Sequence, residues 1–154
     1  MRKSKPAPTE DPQAARATAL RLLARREHSV LELRRKLAQR GFGDGLLETV
    51  LDDLVTHNLL SDHRFAEVYA RTRIERGYGP LRIRAELRER GIDAALAAAA
   101  LEAEAPDWTE CAREARLRRF GEDAPADYRE KARQMRFLQQ RGFDGDQIRA
   151  ALGE

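Results

Sequence analysis

Apolar side chains recur three and four positions apart along most of this chain, the spacing that gathers them on one face of an α-helix. Val30, Leu33 and Leu37 make one such row; Leu47, Val50, Leu51, Leu54 and Val55 make the next; Phe65, Val68, Tyr69 and Thr72 make another. Runs of β-branched residues, which favour strands, are absent. The pattern predicts an all-α protein, and the punctuation between the rows predicts nine helices. The first runs from Pro12 or Gln13 to Arg26. Ser29 caps the second, Glu32 completes a capping box, and Gly41 ends the helix in the left-handed conformation that glycine tolerates. Asp44 is the expected cap of the third helix, and Ser61 or Asp62 opens the fourth, which stops at Gly77. Gly79-Pro80 starts the fifth, because proline is tolerated at the first helical position, and Gly91 closes it. Asp93 caps an alanine-rich sixth helix that Pro106 terminates. Asp107 with Glu110 and Asp127 with Glu130 read as two further capping boxes, with Gly121 and Gly142 as stops.

One phrase is written three times. Arg40-Gly41-Phe42, Arg90-Gly91-Ile92 and Arg141-Gly142-Phe143 each close a charged helical stretch, about 50 residues apart, and each has a leucine four residues before the glycine: Leu37, Leu87 and Leu138. A unit of that size cannot bury its own apolar face fully and stacks on its neighbours. The expected fold is therefore three tandem three-helix repeats, residues 13–58, 59–105 and 106–154, forming an elongated, curved array. Residues 1–12, with Lys3, Lys5, Pro6, Pro8 and Pro12 and almost nothing apolar, read as a flexible tail.

The net charge is +3 and the pI near 9.3, so overall charge argues little for nucleic acid. Its distribution is more telling. The middle helix of each repeat is basic and the last is acidic in the first two, for example Arg34, Arg35, Lys36 and Arg40 against Asp44, Glu48, Asp52 and Asp53. Stacked in register, these would make stripes of opposite charge. The arginine preceding each glycine lies in the last helical turn, where a cation complements the helix dipole and can donate to unpaired carbonyls, so its expected role is structural. Arg35 projects almost opposite the apolar face, and Arg84 and Arg88 sit one turn apart on an exposed flank. With Arg34 and Arg82 they are the candidate contacts for a partner or for DNA.

Several chemistries find no support. The second and third helices superficially mimic a helix-turn-helix, but the would-be recognition helix carries Asp44, Glu48, Asp52 and Asp53 and no Arg, Lys, Asn or Gln to reach base edges. His28, His57 and His63 are the only histidines; His63 and Glu67 have helical i, i+4 spacing but fall short of a metal-ligand set. Cys111, the single cysteine, excludes an internal disulfide and reads as packing. No phosphate loop of the Gly-x-x-x-x-Gly-Lys type is present, and no apolar run is long enough to span a membrane. A soluble cytoplasmic protein with no catalytic residue, metal or cofactor is expected, its oligomeric state left open.

Residues 19–37, ALRLLARREHSVLELRRKL, resemble the opening block of the RecX family, regulators of the RecA recombinase. Residues 59–66, LLSDHRFA, resemble its second block, and Gly79-Pro80-Leu81-Arg82-Ile83 through Gly91-Ile92 its third. The resemblance covers roughly residues 14–152 and is most diffuse in the last repeat. It implies a non-enzymatic regulator that binds the RecA protein and its nucleoprotein filament and inhibits ATP hydrolysis and strand exchange in DNA repair and recombination; the basic helices are expected to add weak, nonspecific contact with the DNA backbone. The family's second block falls on Asp62, Arg64, Phe65 and Ala66, whose physical reading is a helix cap and a core-facing aromatic. The competing reading is a direct DNA-binding protein that contacts the phosphate backbone and competes for DNA.

Overall fold

A computed structural model describes residues 9–154, and whatever is expected of residues 1–8 lies outside them. The described residues hold nine helices and no strand: α1 Pro12–Arg25, α2 Val30–Gln39, α3 Asp44–Thr56, α4 Asp62–Glu75, α5 Pro80–Glu89, α6 Ala94–Glu104, α7 Trp108–Phe120, α8 Tyr128–Arg141 and α9 Gly145–Ala151. They fall into two compact units that divide between Phe65 and Ala66.

In the first unit α1, α2 and α3 pack against one another around Ala19, Leu33, Leu37, Leu47, Leu51 and Leu54, all essentially inaccessible. The corner between α1 and α2 is built by polar groups. Ser29 accepts from the Glu32 amide at 3.1 Å while Glu32 accepts from the Ser29 amide at 3.2 Å, the reciprocal box that satisfies two free donors at a helix start. The first turn of α4 is tied to the same corner: the Val30 amide donates to Asp62 Oδ1 at 2.8 Å, and Arg64 Nε donates to Glu27 at 3.0 Å. Asp62 thus caps α2 from a distance. Thr9 is held as well, its amide donating to the Gly41 carbonyl at 2.7 Å and its carbonyl accepting from Gly43 at 3.3 Å.

His28 fills this corner, 1% exposed. Its Nδ1–H donates to the Arg26 carbonyl at 3.1 Å, and Nε2 accepts from Lys36 Nζ at 2.9 Å, so the ring is neutral. Burial, with Arg26 and Lys36 nearby, holds its pKa below the ordinary 6.5. The unfolded chain therefore takes up a proton at a pH where the folded one does not. Stability contributed here is complete above pH 6.5 and declines as the pH falls below it. Amide exchange of α1 and α2 should accelerate between pH 7.5 and 5.5, after correction for intrinsic rates, and His28→Gln should lack the acid-induced part of that loss; an unchanged acid sensitivity would place its origin elsewhere.

In the second unit α5 packs on α6, and α7, α8 and α9 pack mutually around Ala112, Leu138, Phe143 and Ile148. The third residue of each Arg-Gly turn enters a core: Phe42 partly, Ile92 and Phe143 almost completely. Arg116 is also buried, donating to Gln134 Oε1 and to the Asp123 carbonyl, both at 2.8 Å, and so anchors the loop between α7 and α8.

Five local expectations need correction. Gly43, in extended conformation, precedes α3, so Asp44 is already the first helical residue and acts only as a negative charge near the helix start. Asp107 and Asp127 do accept from the Glu110 and Glu130 amides, but the glutamates reach Arg113 and Arg133 rather than back to the caps. A full box appears instead at Asp144 and Gln147. Val55 and Val68, placed in their apolar rows by spacing, are 47% and 45% exposed.

Candidate interaction surface

Of the five arginines picked as contacts, Arg34 and Arg35 belong to the first unit and Arg82, Arg84 and Arg88 to the second. Arg34 Nη1 lies 3.8 Å from Glu48 on α3, and Arg35 is exposed. Arg84 and Arg88 are both exposed on α5; Arg84 borders a cleft with Glu102, Pro106 and Trp108. Arg82 is different. It donates from Nε to Glu86 at 2.9 Å and from Nη1 to the Gln140 carbonyl at 3.0 Å, joining α5 to the end of α8. Its guanidinium is already committed to holding the fold.

Arg82 leads into a cluster that periodicity did not show. Glu86 accepts from Arg82, from Arg73 Nη2 at 2.6 Å and from the Tyr69 hydroxyl. Burial raises the Glu86 pKa, yet the bonds from Arg73, Tyr69 and Arg82 outweigh it and leave the carboxyl below its ordinary value. Tyr69 is pushed up to about 12, first by burial and then by its bond to Glu86. Beside it the Tyr78 ring has the guanidinium carbons of Arg73, Arg82 and Arg141 at 3.8, 4.5 and 4.6 Å from its centre, and Arg90 lies 4.7 Å from the Tyr69 ring. Each such contact contributes on the order of 0.5–2 kcal/mol, depending on desolvation. The i, i+4 spacings Tyr69–Arg73 and Arg82–Glu86 were the visible trace of this cluster.

The three Arg-Gly arginines have diverged. Arg90 Nη1 donates to the Glu86 carbonyl at 2.9 Å, the expected cap of its own helix. Arg141 reaches instead to the Arg76 carbonyl, at 3.4 Å, beyond the end of α4. Arg40 is exposed. The glycines are also used differently. The Gly79 amide donates to the Arg141 carbonyl at 2.7 Å and the Leu81 amide to the Gly142 carbonyl at 3.0 Å, so the start of α5 rests directly on the third Arg-Gly turn. Thr9 uses the first turn in the same way.

Among the described residues no His, Cys, Asp and Glu group is placed to hold a metal, and no helix is long and apolar enough to cross a membrane. Cys111 is partly buried against the core shared by α7, α8 and α9, and burial raises its pKa, which keeps the unreactive thiol form at neutral pH. Guanidinium groups, aromatic faces and helix surfaces are the chemistry on offer. Three-helix units in tandem define the class of helical-repeat proteins.

Comparison with known proteins narrows that class. Family models described as the first, second and third three-helix domains of RecX match residues 15–54, 61–101 and 107–152. The regulatory protein RecX of Halorhodospira halophila is 52% identical over 139 residues, 90% of this chain and 86% of that one; that of Pseudomonas syringae pv. tomato is 47% identical over 143 residues, 93% and 92%. The crystal structure of RecX from Lactobacillus salivarius superposes with a TM-score of 0.75 at 24% identity, covering 92% of this chain and 94% of that one. A second crystal structure, of a regulatory protein RecX, gives 0.81 at 25% identity and covers 93% and 73%. The chain belongs to the RecX family of regulatory proteins.

Proposed function

We propose that this chain is a cytoplasmic, non-enzymatic regulator that binds RecA and RecA–DNA filaments and inhibits RecA's ATP hydrolysis and strand exchange. The observation that carries the reading is the match to all three RecX domains in order along one chain. The exposed Arg84 and Arg88 on α5, with Arg34 and Arg35 on α2, supply positive charge that steers association with acidic protein or with phosphates. Contact with DNA alone is weak, nonspecific and salt-dependent.

An Arg84→Glu/Arg88→Glu variant should stay folded and associate with RecA roughly fivefold to tenfold more weakly, mostly through slower association, as charges at the rim of an interface do. Inhibition of ATP hydrolysis should require correspondingly more protein. A folded variant that inhibits normally rules out the α5 surface. RecA association measured without DNA separates this function from simple competition for DNA: no association, together with a steep salt slope on DNA, would establish the direct DNA binder instead.

A further inference from the structure

Four arginines converge where residues at the ends of three helices of the second unit come together. Arg76 lies just past the end of α4, Arg118 and Arg119 in the last turn of α7, and Arg141 at the end of α8; Gly77, Ala115 and Phe137 complete the lining of a cleft of about 140 Å³. No carboxylate lines it. The helix ends supply negative charge of their own, and Arg141 does donate to the Arg76 carbonyl. Each end carries roughly half an elementary charge, however, too little in total to balance four guanidiniums. Arg141 is further held over the Phe137 ring, at 5.2 Å, and Arg119 over Phe120, also at 5.2 Å, which limits how far they can swing away. On α5, by contrast, Arg84 and Arg88 are exposed, and Arg82 shares the Glu86 carboxylate with Arg73. The four arginines of the cleft share an opening.

The cleft measures far less than the ~300 Å³ at which pockets begin to enclose drug-sized molecules, so it has no room for a base and sugar. It has room for phosphate groups. Guanidiniums bind phosphate oxygens bidentately, and their bonds to an anion are about twice as strong as neutral ones. A backbone phosphodiester brings a single negative charge, which would leave this opening strongly positive. Adjoining phosphates on one small ligand match it better. We propose that the cleft is a polyphosphate seat, binding the phosphate tail of a nucleoside di- or triphosphate, or free pyrophosphate, with the nucleoside left outside. Arg118 and Arg119 clamp the anion, and Arg76 and Arg141 form the far wall. No bond to the ligand is broken or made.

Calorimetric titration of the full-length protein at physiological salt tests this, with pyrophosphate, ADP, adenosine and a short single-stranded oligonucleotide as probes. Pyrophosphate and ADP should each bind with one-to-one stoichiometry and compete with each other, and adenosine should not bind. Arg118→Gln/Arg119→Gln should weaken both by more than tenfold, whereas Arg84→Gln/Arg88→Gln, which removes the same charge elsewhere, should change them less than twofold. Circular dichroism should show both variants folded. Absent pyrophosphate binding, or equal losses in the two variants, overturns the seat. Oligonucleotide binding that depends on Arg118 and Arg119 without pyrophosphate binding assigns the cleft to a nucleic-acid backbone and overturns it too. RecA association is scored separately on the same variants, so failure of the seat and failure of the regulatory function are read independently.

Discussion

Gly142→Ala is expected to destabilise the second unit by about 2–5 kcal/mol, while Gly41→Ala, the same change in the same turn of the first unit, costs about 1–2 kcal/mol. Both glycines have positive φ, +95° at Gly41 and +101° at Gly142, where an L side chain is strained. What differs is the surroundings. A Cβ on Gly41 would meet nothing within 4 Å, whereas one on Gly142 would lie 2.3 Å from Arg82 Cβ and 2.6 Å from the Arg82 amide nitrogen. Those atoms belong to the first turn of α5 and have no rotamer by which to retreat. Relief requires α5 to lift from the turn, breaking the bonds that Gly79 and Leu81 donate to it. Gly79→Ala meets the same obstacle from the other side, 2.4 Å from the Gly142 carbonyl carbon. Chemical denaturation of the three variants checks the order: Gly142→Ala and Gly79→Ala well below the parent, Gly41→Ala between. Equal losses at Gly41 and Gly142 would mean that backbone strain alone governs both turns.

That contrast marks how much could be read from the chain before its coordinates. The three turns were visible because glycine at a helix end is a local, steric requirement. The helices were visible because 3.6-residue periodicity is also local, and Ser29 and Asp93 cap as their spacing implies. Asp62 was legible as a helix start but not as the acceptor for the Val30 amide, 32 positions away. Arg141 was legible as a cation at a helix end, and the carbonyl it reaches lies 65 positions earlier. Periodicity reports which face a residue occupies, not which residue it meets. The candidate surface shows the same limit: Arg84 and Arg88 are exposed as the helical wheel implies, while Arg82, two positions from Arg84, is drawn into a cluster by Glu86, Tyr78 and Gln140. Arg76, Arg118 and Arg119 stood out in no pattern, since their significance lies in convergence from separate helices.

Glu86→Gln should remove about 2–3 kcal/mol from the second unit, below the 3–5 kcal/mol typical of a broken buried pair because some solvent reaches the cluster. The side chains of Arg73 and Glu86 keep 17% and 15% of their exposure, so each was largely desolvated to make the pair. Glutamine can still accept one bond, but it returns no charge to Arg73, whose Nε is already buried and without a partner. Arg82 loses less, since at 41% exposure water replaces the carboxylate. Replacing Arg73 by methionine in the Glu86→Gln background separates the two ways Arg73 is held. If the Glu86 carboxylate governs, methionine removes the stranded charge and restores at least half the loss, as hydrophobic replacement of buried ion pairs often does. If stacking on Tyr78, 3.8 Å away, governs instead, methionine costs stability again. Tyr69 reports on the same carboxylate without unfolding the protein. Its pKa, raised to about 12, favours the neutral phenol in the folded state, so its contribution is complete below the ordinary 10.0 and is lost as pH rises through the raised value. In Glu86→Gln the carboxylate's charge disappears and its bond to the phenol becomes at most a neutral one while burial remains; the alkaline absorbance transition of Tyr69 should therefore move down toward 10.0 without reaching it, and a transition that does not move would show that the carboxylate charge does not set it.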